Sequence, residues 1–260
     1  MSLPFKLIST DFDGTIFAEF ESPPIPEELQ RIIGDLQNRG AKWAINTGRD
    51  MSSLMEALAR ARVSVQPDFL VLVEREIYVH DGVRYVGLDK WNSECALLHE
   101  ELFARVRPDL PRLSEWINSR FNATVYEDPY SPFCLIAGND RDAGVIHEYL
   151  EAYCRSIPHL AIVRNDVYAR MSHDAYDKGS ALAELARGLG ISAGEIFAAG
   201  DHFNDLPMLS RRHASWLAAP QNAIAPVKAA VTAQKGYVSK RPHGSGVAEA
   251  LAFHLQNAGS

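Results

Sequence analysis

Asp11 and Asp13 stand two residues apart in the run Ser9-Thr10-Asp11-Phe12-Asp13-Gly14-Thr15, at the end of a short apolar stretch. Phe5, Leu7 and Ile8 around Lys6 have the pattern of a strand, and strand residues two apart point the same way. Two carboxylates directed into one small volume repel each other and are costly to desolvate without a cation. Gly14 permits a sharp turn, and Thr15 can bond local backbone. Three further polar clusters bear on the same chemistry: Thr47-Gly48-Arg49, Asp177-Lys178-Gly179, and Gly200-Asp201-His202-Phe203-Asn204-Asp205. Together they offer several carboxylates, one lysine and a hydroxyl. Excess carboxylate oxygen favours a hard cation, and few protein ligands plus waters favour magnesium over calcium. Magnesium beside a lysine suits a phosphoryl group, whose charge both cations offset. An aspartate there can attack phosphorus. A second carboxylate can protonate the leaving alcohol and then activate water, a role worth about 10²–10⁴-fold in rate.

These groups meet only if the chain brings them to one edge. Pro26 suits the first turn of a helix, and the spacing of Leu29, Ile32, Ile33 and Leu36 predicts that helix over 27–38, ended by Gly40. A strand at 41–46 then runs into Thr47. A helix is expected over 52–61, and the continuous apolar run 68–73 reads as a strand buried on both faces. The alternation predicts a parallel sheet with right-handed crossovers, whose strands all end on the same edge. After Val73 a hairpin is expected around Asp81-Gly82, followed by a separate α+β stretch. Its helices are expected near 93–106, 112–121 and 141–154, and its strands near 123–126, 133–137, 160–163 and 167–171. Alternation resumes with a helix over 178–189 and a strand over 196–199. A helix begins at Pro207, then come a strand at 216–218 and helices over 223–231 and 247–255. The expected architecture is α/β: a Rossmann-like parallel-sheet core from 1–82 and 171–260, with an inserted α+β domain at 83–170.

Composition narrows the classes. Of 260 residues 47% are hydrophobic, enough for a substantial core, and the net charge of −7 with no Lys/Arg run disfavours nucleic acid. Cys95, Cys134 and Cys154 are odd in number and widely spaced, which fits reduced thiols rather than a disulfide frame or zinc site. The N-terminal apolar run is too short for a signal segment, and no stretch reaches membrane-spanning length. A cytoplasmic protein without membrane partner, a monomer or weak homodimer, is expected.

DFDGT at 11–15, NTGR at 46–49, DKG at 177–179 and GDHFND at 200–205, in that order, resemble the four motifs of the haloacid dehalogenase superfamily of phosphatases. The long insertion between the second and third resembles a type II cap of subclass B. EIYV at 76–79 and Trp91 are similar to the sucrose-phosphate-phosphatase branch, and Glu74-Arg75 stand where many cap-bearing relatives carry Asn-Gly. The resemblance implies Asp11 as nucleophile and magnesium ligand, and Asp13 as general acid/base with its backbone carbonyl on magnesium. Thr47, the Gly48 backbone, Lys178 and Asn204 match phosphate-binding positions. Asp201 matches the acidic metal ligand, and Asp205 is a second acid acting as ligand directly or through water. The role of Arg49 stays open. The implied activity is magnesium-dependent hydrolysis of a small phosphate monoester, a sugar phosphate or related metabolite, through an aspartyl-phosphate. The cap would close over the core and carry specificity.

Taken singly, each cluster has an ordinary reading. Asp-Gly and Thr-Gly make turns, Lys178 suits a solvated helix start, and Asp201 and Asp205 suit a helix N-terminus. The conjunction carries the assignment. A phosphomutase or phosphotransferase on the same scaffold stays as an alternative, as does a non-enzymatic phosphate-binding regulatory protein, although Asp13 argues against a long-lived phosphoaspartate. His173 and His202 beside acids, Gly244-Ser245-Gly246 as a turn, and Tyr126, Tyr130 and Phe133 as a sugar pocket take structural readings first.

Overall fold

The computed structural model describes residues 3–257 and divides into two compact units. In the first, β1 (Leu7–Thr10), α1 (Glu27–Asn38), β2 (Lys42–Asn46), α2 (Met51–Ala61) and β3 (Phe69–Leu72) alternate, and β4 (Glu76–His80) and β5 (Tyr85–Gly87) form a hairpin. The second unit holds α3 (Asp89–Val106), α4 (Leu110–Asn118), β6 (Ala123–Asp128), β7 (Ser131–Ala137), α5 (Asp140–Cys154), β8 (Leu160–Asn165) and β9 (Tyr168–His173). The chain then returns to the first unit through α6 (Lys178–Leu189), β10 (Ile196–Ala199), β11 (Trp216–Ala219), α7 (Ala225–Ala233), β12 (Tyr237–Val238) and α8 (His243–Asn257).

The first unit is built on one eight-stranded sheet, ordered β12-β11-β10-β1-β2-β3-β4-β5. Its strands are parallel from β12 to β3, and the β4–β5 hairpin adds two antiparallel strands at the edge. All four residues of β1 are buried, as a central strand covered on both faces requires. Its two hydroxyls are satisfied there: Trp43 Nε1 donates to Thr10 Oγ1 at 3.1 Å, and Ser9 Oγ lies 3.8 Å from Met208 Sδ. Phe5, Ile8, Trp43, Leu70 and Phe197 belong to one apolar cluster with the inward faces of α1, α2 and α8. The second unit has its own sheet, β6-β7-β9-β8, antiparallel throughout, and its own core around Phe133, Leu135, Ile146 and Met171. Cys95, Cys134 and Cys154 are free and buried. No helix among the described residues is long and apolar enough to cross a membrane.

Three sequence expectations change. The units divide at Leu88/Asp89 and Tyr176/Asp177, six residues beyond the expected 83 and 170: β5 pairs with β4 and stays in the first sheet, and β9 pairs with β8 as far as His173 in the second. No helix begins at Pro207: a single 3-10 turn at Phe203–Asp205 is followed by turns, with Leu209 N–H bonded to Asp205 O as one isolated helical turn. Gly244-Ser245-Gly246 is no turn but the opening of α8; a Cβ on Gly244 would stand 2.6 Å from Pro26 Cδ and 2.8 Å from Ile16 O.

Candidate active site

Each polar cluster of the first unit follows a strand or opens a helix at one sheet edge. Asp11 continues β1, its N–H bonded to Ala199 O at the end of β10. The chain then folds back on itself, with Phe12 O accepting from the N–H groups of Ile16 and Phe17. Gly14 sits at the bend with φ +76, and a Cβ there would come within 2.5 Å of Asp201 Oδ2. Glycine is thus required twice, by conformation and by the acid packed against it. Gly14 O is held from the far side by Asn222 Nδ2 at 2.8 Å and faces His243 Nδ1 at 3.0 Å. A carbonyl only accepts, so the His243 proton sits on Nδ1.

The third and fourth motifs have separable jobs. Asp177 caps α6, accepting from Ser180 N–H at 2.7 Å, while Ser180 Oγ accepts from Asp177 N–H at 2.8 Å. That reciprocal cap starts the helix so that Lys178, fully buried, faces the end of β1. Lys178 Nζ donates to Asp11 Oδ1 and Asp205 Oδ1, each at 2.6 Å. Asp205 Oδ2 accepts from the N–H groups of Asp201 (2.7 Å) and His202 (2.9 Å). A Cβ on Gly200 would overlap the Asp205 side chain, so the tight loop after β10 depends on its absence. Thr15 Oγ1 donates to Asp201 Oδ1 at 2.6 Å, which ties the first motif to the fourth.

The electrostatics follow from this packing. Burial and the charge of Asp205 push the Asp11 carboxyl well above the usual carboxylate range, with Lys178 only partly offsetting them. The Asp201 carboxyl rises to about 6 for the same two reasons, moderated by the Thr15 hydrogen bond. Burial opposes the charge on Lys178, yet Asp11 and Asp205 hold its ammonium well above the usual lysine value. Three carboxylates share one ammonium, and an added cation would relieve the imbalance.

Asp11, Asp201 and Asp205 each offer an oxygen within 4.8 Å of the others. The set is all oxygen, which suits a hard cation such as magnesium. Because Asp205 already accepts three donors, Asp11 and Asp201 are the side chains left to face such an ion. The Asp13 carboxylate is not in this group. It is turned to Arg49, so the expected crowding of Asp11 and Asp13 is relieved by divergence as well as by cations.

Thr47, expected on the phosphate, ends β2 with its N–H on Val71 O, and its Oγ1 accepts from Arg49 N–H at 3.2 Å. Asn46 Nδ2 donates to Lys178 O at 2.9 Å and joins that strand end to α6. Asn204 is buried, its Nδ2 bonded to Glu74 Oε1 at 2.7 Å. A Cβ on Gly48 would lie 3.4 Å from the same Glu74 oxygen. Glu74 is the residue that motif reasoning missed. It is buried beside Gly48 and Asn204, and it and Val73 both adopt left-handed backbone (φ 69 and 45). The sign in the sequence was the pair Glu74-Arg75 in place of Asn-Gly. Strained non-glycine residues of this kind gather at functional sites.

Two of the other candidates take structural places. Phe133 is buried in the second unit's core, which removes it from any pocket lining. His173 groups with His159 and Asp174, but the two rings stack with 5.0 Å between centroids and 6° between planes. Their in-plane lone pairs therefore run side by side and do not converge on one ion.

Residues 112–251, just over half of the chain, match the family described as haloacid dehalogenase-like hydrolase, a span that holds the third and fourth motifs. Among solved structures the chain is similar to the sucrose-phosphatase of Synechocystis sp. PCC6803, solved with sucrose and phosphate: TM-score 0.72, 18% identity, 96% of this chain and 98% of that one. It is also similar to a haloacid dehalogenase-like hydrolase from Bacteroides thetaiotaomicron, with TM-score 0.62, 20% identity, and 96% and 99% of the two chains covered. A HAD/COF-like hydrolase from Plasmodium vivax aligns at TM-score 0.65, 18% identity, and 98% and 97% coverage. At these identities the likeness establishes the fold. No curated protein matches the sequence.

Proposed function

The chain belongs to the haloacid dehalogenase-like hydrolase family, and from that premise we propose that it is a magnesium-dependent phosphatase of a small phosphate monoester, a sugar phosphate or related metabolite. The reading rests on one observation: a fully buried lysine bridging Asp11 and Asp205, with Asp201 alongside, at the edge where the strands end. With a cation bound to offset the excess carboxylate charge, such a site would accept a dianionic phosphoryl group and place a carboxylate oxygen beside it. Asp11 attacks phosphorus and the leaving-group oxygen departs, giving an aspartyl-phosphate. Asp13 supplies the proton that the leaving alcohol needs, then takes one from the water that releases phosphate. Lys178, the Thr47 hydroxyl and the Asn204 amide orient the phosphoryl oxygens. Asp11 and Asp201 would hold a magnesium ion, which would supply charge stabilisation to those oxygens.

The test is phosphate release in magnesium across sugar phosphates, nucleotides and other esters, with Asp13→Asn alongside. Asp13→Asn is expected to lower steady-state turnover by about 10²–10⁴-fold, the range for a lost general acid–base. Turnover equal to the parent protein's removes the proton-carrier role; phosphate release from no ester removes the phosphatase reading.

Ion binding carries its own prediction. The folded-state carboxyl of Asp201 lies near 6, against 3.8 ordinarily. Being raised, it costs the metal-free fold stability as pH climbs from about 4 through about 6. Magnesium relieves that cost only where the carboxylates are charged, since protons compete for the same oxygens. Magnesium is therefore expected to raise the melting temperature more at pH 7.5 than at pH 5, read by thermal denaturation. An equal or larger shift at pH 5 would place the ion elsewhere.

A further inference from the structure

Asp13 is clamped. Arg49 Nε donates to its Oδ2 and Arg49 Nη2 to its Oδ1, both at 2.7 Å, so one guanidinium edge takes both carboxylate oxygens. Arg49 is itself held on two further sides. Its Nη1 donates to Ser53 Oγ at 3.0 Å on the first turn of α2, which Asp50 caps. Its guanidinium carbon lies 5.6 Å from the Phe12 ring and 5.8 Å from the Phe17 ring, and those rings stack on each other at 4.7 Å. A forked, planar pair fixes a carboxylate in direction as well as in place, and an aromatic floor under the guanidinium removes its remaining freedom. Phe12 separates the two aspartates in the chain. The same short turn therefore supplies the nucleophile, part of the floor, and the clamped acid.

We infer that Arg49 is a positioning residue for the reaction, setting where the Asp13 carboxylate rests and hence how it reaches the leaving group. The inference rests on the reading of Asp13 as proton carrier. Without the clamp, the Asp13 side chain spreads over its staggered rotamers and loses the single resting orientation that the fork imposes. The penalty must then depend on the ester. When Asp11 attacks an alkyl phosphate, the P–O bond to the alcohol breaks and its electron pair takes the proton of Asp13 in its carboxylic-acid form, one oxygen carrying that proton while the other still accepts from Arg49. When it attacks p-nitrophenyl phosphate, the stable phenolate departs without that proton.

The experiment measures kcat/KM, which covers the steps through formation of the aspartyl-phosphate, for an alkyl phosphate and for p-nitrophenyl phosphate. It compares the parent protein with Arg49→Gln, Arg49→Lys and Asp13→Asn. Arg49→Gln is expected to lose about tenfold or more on the alkyl ester and less than about threefold on the aryl ester. Arg49→Lys, which keeps the charge but not the fork, is expected between parent and Gln, and it serves should Arg49→Gln fold poorly. Equal losses on both esters, or none on either, overturn the positioning role of Arg49. Asp13→Asn separates the two failures: a variant without the ester split removes the proton-carrier reading itself, whereas a split in Asp13→Asn but not at Arg49 removes only this inference.

Discussion

Replacing Asp11 with asparagine is expected to cut turnover of p-nitrophenyl phosphate in magnesium by more than about 10³-fold, with no loss of thermal stability at pH 7.5. The first half follows from chemistry: an amide of nearly the same shape has no nucleophilic oxygen to offer phosphorus. The second follows from electrostatics. Burial and the charges of Asp205 and Asp201 push the Asp11 carboxyl up, so in the metal-free fold its ionised form is a cost. A raised carboxyl pKa favours the fold at low pH and penalises it as pH rises past the unfolded value. Asparagine removes that penalty, while its amide oxygen keeps an acceptor for Lys178, which also retains Asp205. Activity and stability should therefore separate, the pattern of a residue kept for function at the expense of the fold. Near-parental turnover would remove the nucleophile assignment. A melting temperature that falls with the activity would return the defect to structure.

The strand ends and the four motifs were legible because they are local. β1, β2 and β10 each announce themselves by a short buried run, and the polar residues that follow lie within a few positions. α6 announces its start by Asp177 and its cap. What the sequence hid is set by distant partners. Nothing local says that Arg49 would reach back 36 residues to Asp13, or that Asn222 and His243 would brace Gly14 O. Glu74 showed in the sequence only as a departure from Asn-Gly, and its donor, Asn204, lies 130 residues on. The absent helix at Pro207 has the same origin: that segment turns under the site, with Asp205 committed to Lys178 and to the loop's N–H groups, and tertiary contacts override its local helical spacing. The glycines of 244–246 read as a turn by composition, and the close approach of Pro26 that selects glycine there is visible only in three dimensions.

Lys178→Met is expected to be the most damaging substitution to the fold, by about 3–5 kcal/mol in urea denaturation at pH 7.5, the cost of breaking a buried ion pair from one side. The side chain is fully buried, and both of its carboxylate partners are nearly or wholly so. Methionine fills the volume but leaves Asp11, Asp205 and Asp201 facing one another with no cation. The ammonium's pKa is raised on folding, so its contribution is complete at every pH below the unfolded lysine value of 10.5 and its loss is felt throughout that range. The size of the loss nevertheless depends on pH, because carboxylates left without a partner relieve their repulsion by taking up protons. The deficit should be smaller at pH 5 than at pH 7.5. Adding Asp205→Asn to Lys178→Met should restore a large part of it, since the pair removed together leaves less uncompensated charge than the lysine removed alone. Magnesium should restore part of it too while leaving turnover low, because an ion can offset the charge of Asp11 and Asp201 without supplying the donor that orients a phosphoryl oxygen. A deficit below about 1 kcal/mol, unchanged between the two pH values, would mean that these three carboxylates are not held together by the lysine.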